Sequence, residues 1–72
     1  MAIPKVRRDF ARQLKRYRKA VGLTQEEAAE KAGMDTRYYQ RIESDKPNAV
    51  KIDTIDRLAK ALKVPAWKLL QF

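Results

Sequence analysis

Gly22-Leu23-Thr24 and Gly33-Met34-Asp35 repeat one pattern eleven residues apart: a glycine, an apolar residue, then a side chain able to cap a helix. Glycine tolerates the left-handed conformation that ends a helix. Thr and Asp accept a hydrogen bond from the amides that open the next one. The chain between the two stops holds a helix of about eight residues, too short to persist in water without packing partners. Thr24-Gln25-Glu26-Glu27 strengthens the first start signal. It reads as a capping box, the Thr24 hydroxyl bonded to the Glu27 amide and the Glu27 carboxylate reaching back. Leu23, just before the cap, is placed to staple onto Ala28 or its neighbour.

The remaining sequence suits helices that can cover such a pair. Val6, Phe10, Leu14, Tyr17 and Val21 recur at intervals of 4, 4, 3 and 4 and form one apolar stripe ending at Gly22. The second helix runs to about Ala32 with Ala28, Ala29 and Ala32 inward. The third spans roughly Thr36 to Glu43, capped by Asp35, with Tyr39 and Ile42 inward and Met34 packing in the turn. A fourth carries Ile52, Ile55, Leu58, Ala59 and Leu62, and Pro65 suits the first turn of a fifth helix, Ala66 to Leu70. The expected fold is all-α, a compact five-helix bundle in a single domain over residues 1–72, residues 1–7 serving as a basic N-terminal arm.

Charge narrows the function. Lys and Arg number 17 against 9 Asp and Glu, a formal net of +8, and there is neither Cys nor His. That excludes disulfides, Cys/His zinc sites, thiol nucleophiles and imidazole-dependent catalysis. Two carboxylates remain as an acid/base option, but a chain this short can hardly bury a cleft to retune them. No enzyme and no cofactor is expected. The excess charge points to a polyanion. Residues 1–21 hold eight bases against one acid, a net of +7, whereas residues 24–43 hold three bases against five acids, a net of −2. The N-terminal segment therefore supplies the field, and specific contacts must come from a few placed side chains. No apolar run is long enough to span a membrane, and the N-terminus lacks the apolar core of a secretory signal. A cytoplasmic protein is expected.

Two short helices joined by a tight glycine-containing turn make a helix-turn-helix. The run Tyr17 to Glu43, continued by Ile55-Asp-Arg-Leu-Ala-Lys-Ala-Leu62 and Val64-Pro-Ala-Trp-Lys-Leu-Leu70, resembles the phage Cro/repressor-type (XRE-like) family over about residues 8–72. The resemblance implies sequence-specific binding of double-stranded DNA by a two-fold homodimer, the third helix lying in the major groove of a palindromic operator. It places base reading on Thr36, Arg37 and Arg41, with Gln40 beside them, and phosphate contact on Gln25. The chemistry agrees: Arg pairs bidentately with guanine, Gln with adenine, and a Thr methyl meets a thymine methyl. The plain alternative is that these four are only the solvated face of an amphipathic helix. Free amides and the positive helix end favour an anion near Gln25 and its cap Thr24, though Glu26 and Glu27 share that turn. Tyr38 is a phosphate donor or a packed tyrosine. Ser44, Lys46 and Asn48 follow the third helix and face the next phosphates. Arg18 and Glu43 correspond to an ion pair tying the first helix to the end of the third.

The sequence also departs from the family pattern. Tyr17, Ala28 and Tyr39 stand where Leu is usual, which suggests volume compensation in one core. Asp45 replaces a glycine and would take the left-handed conformation at some cost. The following linker is about one residue longer than typical, and Lys51 stands where Ser or Thr would cap the fourth helix. Trp67, Leu70 and Phe72 are candidates for the dimer patch, with closure of the monomer core the alternative, to which Leu70 is the better suited. A phage-type repressor, a restriction-modification controller and a self-repressing antitoxin all fit, and no effector-binding module is evident. Two other classes stay open: an antitoxin or adaptor whose main partner is a protein such as a toxin, and a non-specific binder of RNA or anionic surfaces.

Overall fold

The computed structural model describes residues 3–72 and consists of five helices: α1 Lys5–Ala20, α2 Gln25–Lys31, α3 Thr36–Ile42, α4 Ile52–Leu62 and α5 Ala66–Leu69. The punctuation read from the sequence sets the first three. Gly22 (φ 75°) and Gly33 (φ 69°) are left-handed. The Thr24 capping box forms with both bonds, and the Asp35 carboxylate accepts from the Arg37 and Tyr38 amides. Phe10 and Leu14 of α1, Ala28 and Ala29 of α2, Tyr39 and Ile42 of α3, Leu58 and Leu62 of α4 and Leu69 of α5 meet in one core. Each short helix is therefore held by tertiary burial rather than by its own propensity.

Ala28 is 1% exposed and shares that core with fully buried Tyr39 and partly buried Tyr17. One small residue and two large ones in the same core are what volume compensation requires. Ala28→Leu is expected to overpack the site, costing about 1–3 kcal/mol. For a domain of this size that lowers Tm by roughly 5–20 °C, measurable by thermal unfolding followed by circular dichroism. An unchanged or raised Tm refutes the compensation.

The ends of the apolar stripes miss the core. Val6 is 56% exposed, Val21 46% and Ile52 82%. Val21 is the C-cap of α1 and lies past its last turn. Ile52 precedes Leu58 by six residues, which turns its side chain about 120° from Leu58 around the helix. Position 69 rather than 70 closes the core: Leu69 is buried and faces inward with Ala66, whereas Leu70 is exposed. The helix begins at Lys5, so residues 5–7 of the expected basic arm are helical, and residues 1 and 2 lie outside the described residues.

Asp45 does not take the left-handed conformation. Among the described residues Lys63 is the one non-glycine with positive φ, 58° at the C-cap of α4. The chain leaves α3 through Glu43 in ordinary right-handed geometry. The Ser44 amide and hydroxyl then both donate to the Arg41 carbonyl, at 3.2 and 2.7 Å. Lys51 gives α4 no side-chain cap, as its residue type requires.

Candidate nucleic-acid interface

The face of α3 opposite the core carries the residues singled out for base reading. Tyr39 and Ile42 are fully buried. Arg37, Gln40 and Arg41 are exposed and Thr36 is half-buried. Because Asp35 fixes where the helix starts and the core residues fix its rotation, these four side chains leave the protein on one side. None of the four donates or accepts a side-chain hydrogen bond within the chain among the described residues. Their donors and the Thr36 methyl are available to a partner. Tyr38 is half-buried and packs against the core.

A buried polar cluster sets the angle between α3 and the start of α2. Arg18 Nε and Nη2 donate to the two carboxylate oxygens of Glu43 at 2.8 and 3.1 Å. Its Nη1 donates to the Leu23 carbonyl at 2.7 Å, and Gln25 Nε2 donates to Glu43 Oε1 at 3.2 Å. The pair's side chains are 10% and 1% exposed. Bonding to Glu43 raises the Arg18 pKa still further. The Tyr39 hydroxyl is buried without a hydrogen-bond partner. Burial first, then the Glu43 carboxylate, push its pKa far above the ordinary value, so it stays a neutral phenol.

The phosphate candidates are placed unevenly. Gln25 holds Glu43 with one amide hydrogen and keeps its second. Thr24 accepts from the Glu27 amide at 3.1 Å and keeps its hydroxyl proton. Lys46 is exposed, and its amide donates to Ser44 Oγ at 3.3 Å. The Ser44 proton is engaged by the Arg41 carbonyl. Asn48 is half-buried and lines a mostly apolar groove with Val6, Arg7, Phe10, Val50, Ile55 and Leu70. Two links escaped the sequence reading. One is the Gln25–Glu43 bond. The other is Gln13, whose amide donates to the Gln71 carbonyl at 2.8 Å and the Lys68 carbonyl at 3.3 Å, tying the C-terminal segment to α1. A glutamine in a basic helix carries no spacing signal that would reveal such a long-range bond.

The Thr24 amide donates to Glu27 at 2.9 Å, and this backbone bond foremost holds the Glu27 carboxyl below its ordinary value of 4.5. A carboxylate whose pKa is lowered by folding stabilises the fold above its unfolded pKa. That contribution is lost as pH falls through the folded value. The Tm advantage of the native chain over Glu27→Gln is therefore expected to be larger at pH 7 than at pH 3. A gap that widens toward acid contradicts the assignment.

Among the described residues no cluster of carboxylates is arranged for a metal ion, and no helix is long and apolar enough to cross a membrane. The helix-turn-helix family profile matches residues 14–66. The chain belongs to the XRE-type helix-turn-helix family. That is a family of DNA-binding regulators, not of enzymes. The restriction-modification controller protein C.AhdI from Aeromonas hydrophila is similar at 30% identity, with a TM-score of 0.86 over 92% of this chain and 98% of that one. The hypothetical transcription factor NHTF from Neisseria is 29% identical with a TM-score of 0.84, over 96% of this chain and 84% of that one. C.Esp1396I, bound to a 19 base pair DNA duplex, is 24% identical with a TM-score of 0.84, over 92% of this chain and 87% of that one, a likeness in fold. A search of the curated proteins gives no match.

Proposed function

We propose that this helix-turn-helix protein is a sequence-specific transcriptional regulator that sets α3 into the major groove of a palindromic operator as a two-fold dimer. The observation that carries the reading is the free polar face of Thr36, Arg37, Gln40 and Arg41 on a helix capped at its start and fixed in rotation by the core. Thr24, Gln25, Tyr38 and Lys46 hold the adjoining phosphates. Ser44 joins them by turning its hydroxyl from the Arg41 carbonyl. Asn48, in the apolar groove, is the weakest member of that set.

The dimer patch is Trp67, Leu70 and Phe72, all exposed at the C-terminal end. Val6 borders the same groove as Leu70 and extends the apolar surface. Exposed apolar area of this extent on a small domain fits an interface. The likeness to C.AhdI favours a controller of a restriction-modification operon over the other regulatory contexts.

Selection of duplexes from a random-sequence pool tests this. The expected result is a palindrome with half-sites about 10 base pairs apart, one helical turn, as two symmetric recognition helices require. Recovery of a single half-site removes the dimer. Recovery of no preferred duplex removes the DNA reading in favour of a protein partner.

A further inference from the structure

Outside the helix-turn-helix, α1 presents one charged surface that the base-reading face does not use. Arg8, Arg12, Lys15 and Lys19 recur at intervals of 4, 3 and 4 and so lie along one face of the helix. All four are exposed, and none makes an ion pair among the described residues. The sole acid of α1, Asp9, is paired with Lys5. The stripe runs about 16 Å along the helix axis, a length over which one DNA strand carries about five phosphates.

Its position relative to α3 decides what it meets. Arg8, Arg12 and Lys15 form one wall of a cleft of about 170 Å³ whose other wall includes Ser44 and Asp45, the residues that follow α3. The 7 residues of α3 span about 10 Å. The major groove is about 12 Å wide. A helix that short, lying in a groove of that width, leaves whatever adjoins its C-terminal end within reach of a flanking phosphate strand. We infer that the α1 stripe is a second DNA-binding surface, which grips the phosphate backbone beside the base-read segment and supplies sequence-independent affinity. This rests on the proposed placement of α3 in the major groove.

The same stripe fits other polyanions less well. The centre of the apolar face of α1 is taken up by Phe10 and Leu14 in the core, and Val6 and Val21 at its two ends are too little apolar surface to hold the helix in a membrane. Its aromatic neighbour Tyr17 packs against that core and offers no free ring for an unstacked RNA base. Asp45, exposed across the cleft, opposes a phosphate there.

The test compares the native chain with Arg8→Gln/Arg12→Gln/Lys15→Gln/Lys19→Gln on three probes: the duplex recovered by selection, a 30-base-pair duplex of scrambled sequence, and an RNA hairpin of equal charge. Binding is measured between 50 and 200 mM salt. Loss of four phosphate contacts per subunit is expected to flatten the salt slope by about 3.6 for each subunit bound, so each native subunit contributes about 150-fold more affinity loss than a variant subunit across that range. Both DNA duplexes weaken by the same factor, and the preference between them stays. A single Asp45→Asn change, read the same way, is expected to tighten both duplexes, and it keeps the inference testable should the quadruple variant fail to fold. An unchanged slope overturns the inference, as does a loss confined to the selected duplex, a larger loss on RNA than on DNA, or a weaker Asp45→Asn protein. Failure of the underlying DNA reading is seen separately, as absence of any duplex preference in the native chain.

Discussion

Glu43→Ala is expected to remove from about a quarter to all of the protein's folding stability at room temperature. The substitution strips the Arg18 guanidinium of two bonds and Gln25 of its acceptor, in a site where the pair's side chains are 10% and 1% exposed. Removing one partner of a buried pair costs about 3–5 kcal/mol, since the other charge stays desolvated and uncompensated. A domain of 72 residues has only about 4–11 kcal/mol to lose. The consequence is also geometric. Arg18 holds α1 to the Leu23 carbonyl, and Glu43 holds the end of α3 to the start of α2. Losing Glu43 loosens the angle between the two helices of the DNA-binding unit before the whole chain melts. Urea unfolding measures the effect. Arg18→Met/Glu43→Leu, which removes both charges and keeps the volume, is expected to be more stable than either single alanine variant. If Glu43→Ala unfolds within about 1 kcal/mol of the native chain, the pair is behaving as a surface ion pair and the cluster does not organise the fold.

The same cluster marks the boundary of what could be read without coordinates. Local chemistry was legible. Gly22, Thr24, Gly33 and Asp35 announce helix ends because their backbone and capping preferences act over three or four residues. Core assignment was legible at helix centres, where Leu14, Ile42 and Leu58 sit, and failed at the ends. Val6, Val21 and Ile52 continue a periodic pattern past the point where the packed surface stops, and periodicity holds no information about where that is. Leu69 and Leu70 are adjacent and chemically identical, so only the start of α5 decides which is buried. Asp45 in place of a glycine suggests a left-handed residue there, while the left-handed residue is Lys63, which no turn-forming side chain advertises. For the candidate site, the α3 face followed from one cap and one helical period. The Gln25–Glu43 and Gln13–Gln71 bonds join residues 18 and 58 positions apart through polar side chains whose reach depends on the finished packing.

Arg41→Ala should damage recognition and spare the fold. Its side chain is exposed and makes no bond within the chain among the described residues, and only its backbone is used, within α3 and where its carbonyl accepts from Glu43 and Ser44. Truncation therefore leaves the core, the caps and the α3 axis in place, so Tm should stay near native. On the selected duplex the loss is expected to be about 1–3 kcal/mol, the discrimination of one bidentate contact to guanine, or roughly 5- to 150-fold in Kd. On a scrambled duplex the loss should be small, because a single charge removed from a chain of net +8 changes little of its sequence-independent attraction. Repeating the random-sequence selection with the variant should relax one base pair in each half-site. Arg37→Ala, one position into the helix from Thr36, should relax a different one. The two sets of relaxed positions then give the direction in which α3 lies along the groove. If both variants weaken selected and scrambled duplexes equally, the two arginines touch phosphate only, and the base-reading face lies elsewhere on the molecule.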